Sequence, residues 1–463
     1  MLIKNGLVLF PGGLRKGDIE IQDGVIAAAG PASDARPASD ARPASDARPA
    51  SAAGPVSAAG ASSGTIDAEG KYVIPGFIDI HTNGIAGFDF TCGRYDLGSG
   101  EFSLDEESYT RGLGTAANAY LRSGVTRAVL TSLAAPLDQL KSVFRFLKKY
   151  STVAAATPLR DVIYGINIEG TFIKLEAFRG AHNAAHFHEP SPGLFDELQD
   201  AAGGLIRIVN VPPEWGVPAL KLIDRLSSLN IVSAAGHTGA TAEQYSEAVQ
   251  HGLNLAVHLL NGPSHSSVKS LDGGGAVESA LRDERVFAEI ILDGYHVDRG
   301  YVRDVISRKG IGRTIAITDS MFTAKLKGIG NFEMLGVKGA VSRDENYMHI
   351  AGRPDAFFGS MITMEKAFAN LLTWLTMPVE GVWNRLHPPL DFESALAQAS
   401  ELCSRNPASL LAIYEPQPGR GPVHGTGSIE PGKYADLLVT RIEHGKEGYR
   451  LAIDTVLLKG QVC

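Results

Sequence analysis

Eight apolar runs punctuate the middle of the chain: GFIDIH, VTRAVLTS, VIYGINIEG, LIRIVNVPPE, NIVSAAGH, LNLAVHLLN, VFAEIILDGYH and TIAITDS. Each reads as a buried strand. Between them, stretches such as ALKLIDRLSSL, TAEQYSEAVQHG and GYVRDVISRKG place apolar residues at roughly helical spacing. Eight strands alternating with helices is the count that a closed parallel barrel requires. The expected fold class is therefore α/β, a (β/α)8 TIM-like barrel, with a doubly wound open sheet as the alternative. Both chain ends alternate apolar and polar residues, in LIKNGLVLF and DIEIQDGVI at the start and in YADLLVTRI and DTVLLKGQV at the end. That pattern predicts antiparallel strands. The ends are expected to meet in one small β-sandwich domain, built from residues 1–74 and 412–463, which a barrel of residues 75–411 interrupts.

One stretch breaks the pattern. The hexad PASDAR starts at Pro31, recurs at Pro37 and Pro43, and decays into small residues that end near Gly64. Six-residue repeats can build a β-helix, but these offer no large apolar side chain to line a core. Pro, Ala, Ser and Gly cannot offset the entropy of ordering. Residues 31–64 are expected to be a disordered loop expansion, dispensable for chemistry.

The polar residues that end the apolar runs change the picture from fold to function. In order they are Glu169, His237, His258, His296 and Asp319. One such residue is ordinarily a satisfied buried polar group or, for Asp319, a helix N-cap. Five in succession place metal-binding and proton-carrying groups at the C-terminal mouth of a barrel, where barrel enzymes keep their chemistry. Glu169, His237 and His258 make the three-ligand set with which a catalytic zinc retains an open position. Asp319 is placed to take a proton from water and hand it to a leaving amine. His296 and His182 are further candidates, as neutral donors to a carbonyl or as cations for an anionic group. His186 and His188 read as exposed loop residues.

Composition narrows the class. A chain of 463 residues that is 44% hydrophobic can bury a large core, and its net charge of -8 offers no basic footprint for nucleic acid. Cys92, Cys403 and Cys463 have neither disulfide-framework nor CxxC spacing, which fits a reducing cytoplasm. The start MLIKNGLVLFPGG lacks a secretory apolar region, and no run approaches membrane-spanning length.

PGFIDIHTNG, INIEGTF, GAHN, AAGHTGAT, VHLLN, ILDGYHVD, ITDS, NPA and GSIEPGKYADLLV, taken in this order, resemble the amidohydrolase superfamily. The combination of IEG, GAHN, HLLN and DGYHVD is similar to its N-acetylglucosamine-6-phosphate deacetylase branch. The resemblance implies a divalent metal, zinc above others, on Glu169, His237 and His258, with Asp319 as general base and then acid. It implies that His182 holds the acetamide carbonyl, that Asn261 and the backbone of Gly262 contact phosphate, and that His296 contacts substrate. A homodimer and a small amino-sugar substrate are implied as well.

Three positions depart from the branch. The HxH element reads His81-Thr82-Asn83, which favours one metal, with His81 a candidate for a partial second site. The phosphate-gripping arginine is replaced by NGPSHSSVKS, where Lys269 or His265 is the substitute. Thr171 stands where proline is common, and TWLTMPVEGVWNRLHPPLDFES is an added excursion expected near the last loops of the site. The rival readings are another amidohydrolase activity, on a different N-acetylated sugar or an N-acyl amino acid, and a non-catalytic scaffold.

Overall fold

The computed structural model describes residues 1–31, 64–153, 159–261, 273–384, 386–416 and 422–463. The interior of the hexad stretch and the candidates Gly262, His265 and Lys269 lie outside the described residues.

Eight parallel strands follow one another in chain order around a single sheet: β1 (Phe77–Thr82), β2 (Val125–Ser132), β3 (Ile163–Ile168), β4 (Ile206–Asn210), β5 (Val232–Ala235), β6 (Leu253–Ala256), β7 (Phe287–Ile291) and β8 (Thr314–Ile317). A parallel bridge between Thr82 and Ser320 brings the first strand beside the last. The sheet is thus a barrel and not the open alternative. Both faces of these strands are apolar because both are buried, one inside the barrel and the other under helices. Ile78, Ile80, Val129, Ile208, Ala234, Leu255 and Ile315 cluster with one another across the barrel. Their neighbours Phe77, Leu130, Ile166, Val209, Ile290 and Ala316 pack with helix residues outside it.

The helical stretches form helices as expected: Val217–Ser228, Ala242–His251 and Arg299–Lys309. Thr241 opens the second of these with a capping box closed by Gln244. The Pro-Pro-Glu tail of LIRIVNVPPE leaves the sheet, because proline has no N–H for the ladder, and makes a 3-10 turn at Pro213–Trp215.

The two chain ends meet in a second, β-rich unit. Tyr72–Pro75 from the N-terminal side pairs antiparallel with Leu437–Gly445 from the C-terminal side, Ile74 opposite Leu438. Ile3, Val8, Ile19, Val73, Leu437 and Leu457 form its core. A four-stranded antiparallel sheet after β8, from Asn331–Met334 to Arg353–Phe357, was not anticipated by the sequence reading. No helix among the described residues is long and apolar enough to cross a membrane.

Beyond β1 the chain turns through Asp89, whose Oδ1 accepts the backbone N–H of Thr91 and of Cys92 at 2.9 and 2.8 Å. Its Oδ2 has no hydrogen-bond partner among the described residues. Burial pushes this carboxyl up to about 7. A carboxyl that binds its proton more tightly when folded contributes stability that is complete below about pH 4 and is lost as pH rises through about 7. Asp89→Asn keeps the accepting oxygen and removes the titration. Between pH 4 and pH 8 the stability difference is expected to shift toward the variant, by up to about 4 kcal/mol. Chemical denaturation of both proteins across that range measures it, and a pH-independent difference would contradict it.

Candidate active site

The residues singled out at the strand ends converge on one cavity of about 690 Å³ at the C-terminal mouth of the barrel. Glu169, His182, His237, His258, Asn261, His296 and Asp319 all line it. His81 lies just beneath, fully buried on β1. His237, His258 and Asp319 each sit two residues past their strand with positive φ, at 50°, 26° and 48°. Left-handed backbone is unfavourable for such residues and is characteristic of functional sites. Here it turns each side chain from the strand direction into the mouth.

Glu169 is the hub. Its Oε1 lies 3.4 Å from His81 Nε2, 3.2 Å from His237 Nε2 and 2.9 Å from His258 Nε2. Its Oε2 lies 3.5 Å from His182 Nε2. Burial alone would raise this carboxyl, but the surrounding imidazoles, His81 foremost, hold it well below the ordinary range. Burial pushes His237 down to about 4, so its imidazole is neutral, the form that binds metal. Burial is also the main cause that raises Asp319 above the usual aspartate value.

The donor set fits a divalent cation. His237 Nδ1 is 2.9 Å from the Phe178 carbonyl, and His81 Nδ1 is 3.0 Å from Glu289 Oε2. Both contacts place a proton on Nδ1; in neutral His237 this leaves a bare Nε2 lone pair, whereas His81, against the effect of its burial, is raised well above the usual histidine value by the carboxylates of Glu169 and Glu289. The His237 lone pair faces Glu169 Oε1 at 3.2 Å, an acceptor against an acceptor, and a cation between them resolves the repulsion. Among the described residues, two overlapping groups have all their ligand atoms within 4.8 Å: His81, Glu169 and His258, and Glu169, His182 and His237. The expected set of Glu169, His237 and His258 draws from both, sharing Oε1.

Neighbours that the sequence reading did not single out hold this arrangement. Asn210 at the end of β4 donates to the Glu169 and Gly236 carbonyls and accepts from Gly236 N–H, tying β3 to β5 between two candidate ligands. Glu289, fully buried on β7, accepts from His81 and from the backbone N–H of His258. A charged residue inside the run VFAEIIL was the available signal, because a buried charge needs a polar partner. Asn83 donates from Nδ2 to Asp319 Oδ1 at 2.9 Å, in the place of the missing second histidine.

The His182 loop reaches the site over glycines. A Cβ at Gly180, where φ is 56°, would lie 2.8 Å from His237 Cε1, and one at Gly170 would lie 2.3 Å from Ala134 N. His182 Nδ1 accepts the Ala134 N–H at 3.2 Å, so its proton is on Nε2, directed at the cavity. His296 is likewise aimed: Nδ1 is bound by Asp293 at 2.6 Å, and Nε2 has no partner among the described residues.

One expectation about the surroundings needs correction. His186 and His188 are half-buried, not exposed, and neither lines the cavity. The excursion around Trp383 lies near the site as expected, lining with His296 and Leu260 a pocket beside the cavity without entering the cavity itself. Its backbone at Val382, Trp383 and Asn384 is bound to buried Asp304 on the helix Arg299–Lys309. The wall comes instead from the unanticipated sheet, through Arg353, Asp355 and Phe357.

Imidazoles and carboxylates gathered about one point at a barrel mouth define a metal-dependent hydrolase of the barrel type. The chain belongs to the amidohydrolase family, whose model matches residues 72–463, and it is thereby a hydrolase acting on C–N bonds. It is 27% identical over 377 residues to N-acetylglucosamine-6-phosphate deacetylase of Bos taurus, spanning 81% of this chain and 80% of that protein. It is 25% identical over 379 residues to the Haemophilus influenzae protein of the same name, spanning 81% and 84%. The crystal structure of N-acetylglucosamine-6-phosphate deacetylase from Pasteurella multocida has the same fold, with a TM-score of 0.75 at 20% identity, covering 100% of this chain and 99% of that one. The Mycobacterium smegmatis enzyme, solved as a mutant in complex with N-acetyl-D-glucosamine-6-phosphate, gives 0.73 at 24% identity, covering 100% and 98%.

Proposed function

We infer that the protein hydrolyses the N-acetyl group of N-acetylglucosamine-6-phosphate, releasing acetate and glucosamine-6-phosphate. The observation that carries this reading is the convergence of three imidazole Nε2 atoms on Glu169 Oε1, with Asp319 Oδ1 3.5 Å from one of them, His81 Nε2, in a cavity large enough for a sugar phosphate. The curated deacetylases that the chain resembles support the same substrate.

Glu169, His237 and His258 would hold one divalent ion per subunit, zinc in our reading, with His81 at the edge of the set. Bound there, it would supply Lewis-acid polarisation of the acyl oxygen and acidify water. Asp319 accepts the proton of the attacking water and returns it to the nitrogen as the C–N bond breaks. Its raised pKa suits a group that must both take and give a proton. His182 donates Nε2–H to the acyl oxygen as negative charge develops there. Asn261 and His296 serve the sugar phosphate, together with Gly262 and either Lys269 or His265. We take residues 75–411 as the catalytic unit, the protein as a cytoplasmic homodimer, and its ligand as a small molecule.

Acetate release by metal-loaded enzyme from N-acetylglucosamine-6-phosphate and from unphosphorylated N-acetylglucosamine tests the proposal. A strong preference for the phosphorylated sugar is expected. Failure on both, with metal bound, would overturn the substrate and point to another N-acyl compound.

A further inference from the structure

Asn83 combines three features that a purely structural asparagine does not need. It is 2% exposed yet lines the catalytic cavity. Its backbone is bound on both sides, N–H to the Ser320 carbonyl and C=O to the Phe90 N–H, both at 2.8 Å, so the side chain has a set origin beside the Asp319 turn. Its Nδ2 donates to Asp319 Oδ1 at 2.9 Å, while its Oδ1 is buried without any hydrogen-bond partner among the described residues. The amide cannot be turned the other way. An ionised carboxylate only accepts, so rotation would set two acceptors against each other. A buried acceptor left unpaired is unfavourable and calls for a donor.

We propose that Asn83 Oδ1 accepts the N–H of the scissile amide and thereby selects amide over ester substrates. This rests on the deacetylase reading. Asp319 can protonate the leaving nitrogen only from hydrogen-bond reach. Asn83, bound to the same carboxylate, then has its other polar atom close to that nitrogen. With the N–H held on Oδ1, the nitrogen lone pair that appears as the amide loses planarity is turned toward Asp319. An ester has oxygen at this position, with lone pairs and no hydrogen, and would meet Oδ1 as acceptor against acceptor.

The test compares N-acetylglucosamine-6-phosphate with 2-O-acetylglucose-6-phosphate, which differs at the scissile heteroatom, on metal-loaded wild-type, Asn83→Ala and Asn83→Leu proteins. Acetate release gives kcat/KM for each. The amide-to-ester ratio is expected to fall at least about tenfold in both variants, because the amide loses its acceptor and the ester loses a repulsion. Both substrates are read on one preparation, so incomplete folding cancels from the ratio. An unchanged ratio, with both rates falling together, would reduce Asn83 to a support for Asp319 and overturn the proposal. If the wild-type protein releases acetate from neither compound, the deacetylase reading falls and takes this one with it.

Discussion

Asp319→Asn is expected to lower kcat about a thousandfold while metal content stays at the wild-type value. The carboxylate is buried at the end of β8, directed into the cavity, and bound through Oδ1 to Asn83. Asparagine preserves its shape and can still accept from Asn83, so the local backbone has no reason to move. It can neither take a proton from water nor deliver one to the departing nitrogen. Proton transfer by a positioned side chain contributes about 10²–10⁴-fold, which sets the size of the loss. Among the described residues Asp319 touches the ligand cluster only at 3.5 Å from His81 Nε2, whereas Glu169 meets four imidazoles within that distance. Steady-state kinetics with elemental analysis of the same sample checks both halves. A near-normal rate would remove Asp319 from the chemistry, and loss of the metal would make it a ligand.

Glu169→Gln is expected to produce the opposite split, with metal and activity lost together. The amide replaces the carboxylate on which the imidazoles converge, and it leaves an acceptor and two N–H donors where a cation needs charge. Losing even an outer hydrogen-bond partner of a ligand costs about 10–100-fold in metal affinity, so loss of the central carboxylate is expected to cost at least about a hundredfold. Thermal unfolding gives a second reading that needs no substrate. A ligand at 100 times its Kd stabilises the fold by about 2.7 kcal/mol. Added divalent ion should therefore raise the wild-type Tm and leave that of Glu169→Gln almost unmoved. Equal shifts in the two proteins would place the ion elsewhere.

Much of this site was legible because barrel strands announce themselves twice, once as apolar runs and again by the polar residue that ends each run. Glu169, His237, His258, His296 and Asp319 all line the cavity for that reason. His182, from a loop, was legible only through its local motif. Asn83, Asn210 and Glu289 were not legible as site residues. Asn83 registered only as an absent histidine, and Asn210 and Glu289 lie within apolar strands where pattern alone cannot tell a hydrogen-bonded bystander from a brace. The sheet from Asn331 to Phe357 was missed because its strands are short and its pattern weak.

What the sequence alone determined is the barrel, its interruption of a β-rich unit and the identity of the groups at its mouth. These follow from local periodicity, since period-two alternation and strand ends are properties of neighbouring residues. What only the tertiary structure decided is how those groups face one another. The protons placed on Nδ1 of His81 and His237 and on Nε2 of His182 depend on Glu289, Phe178 and Ala134, which are 208, 59 and 48 positions away. The bond from Asn83 to Asp319 spans 236 positions. That last pairing arises when the closing barrel brings its first strand beside its last, the others when loops and strands meet at the folded mouth, and no local pattern encodes them.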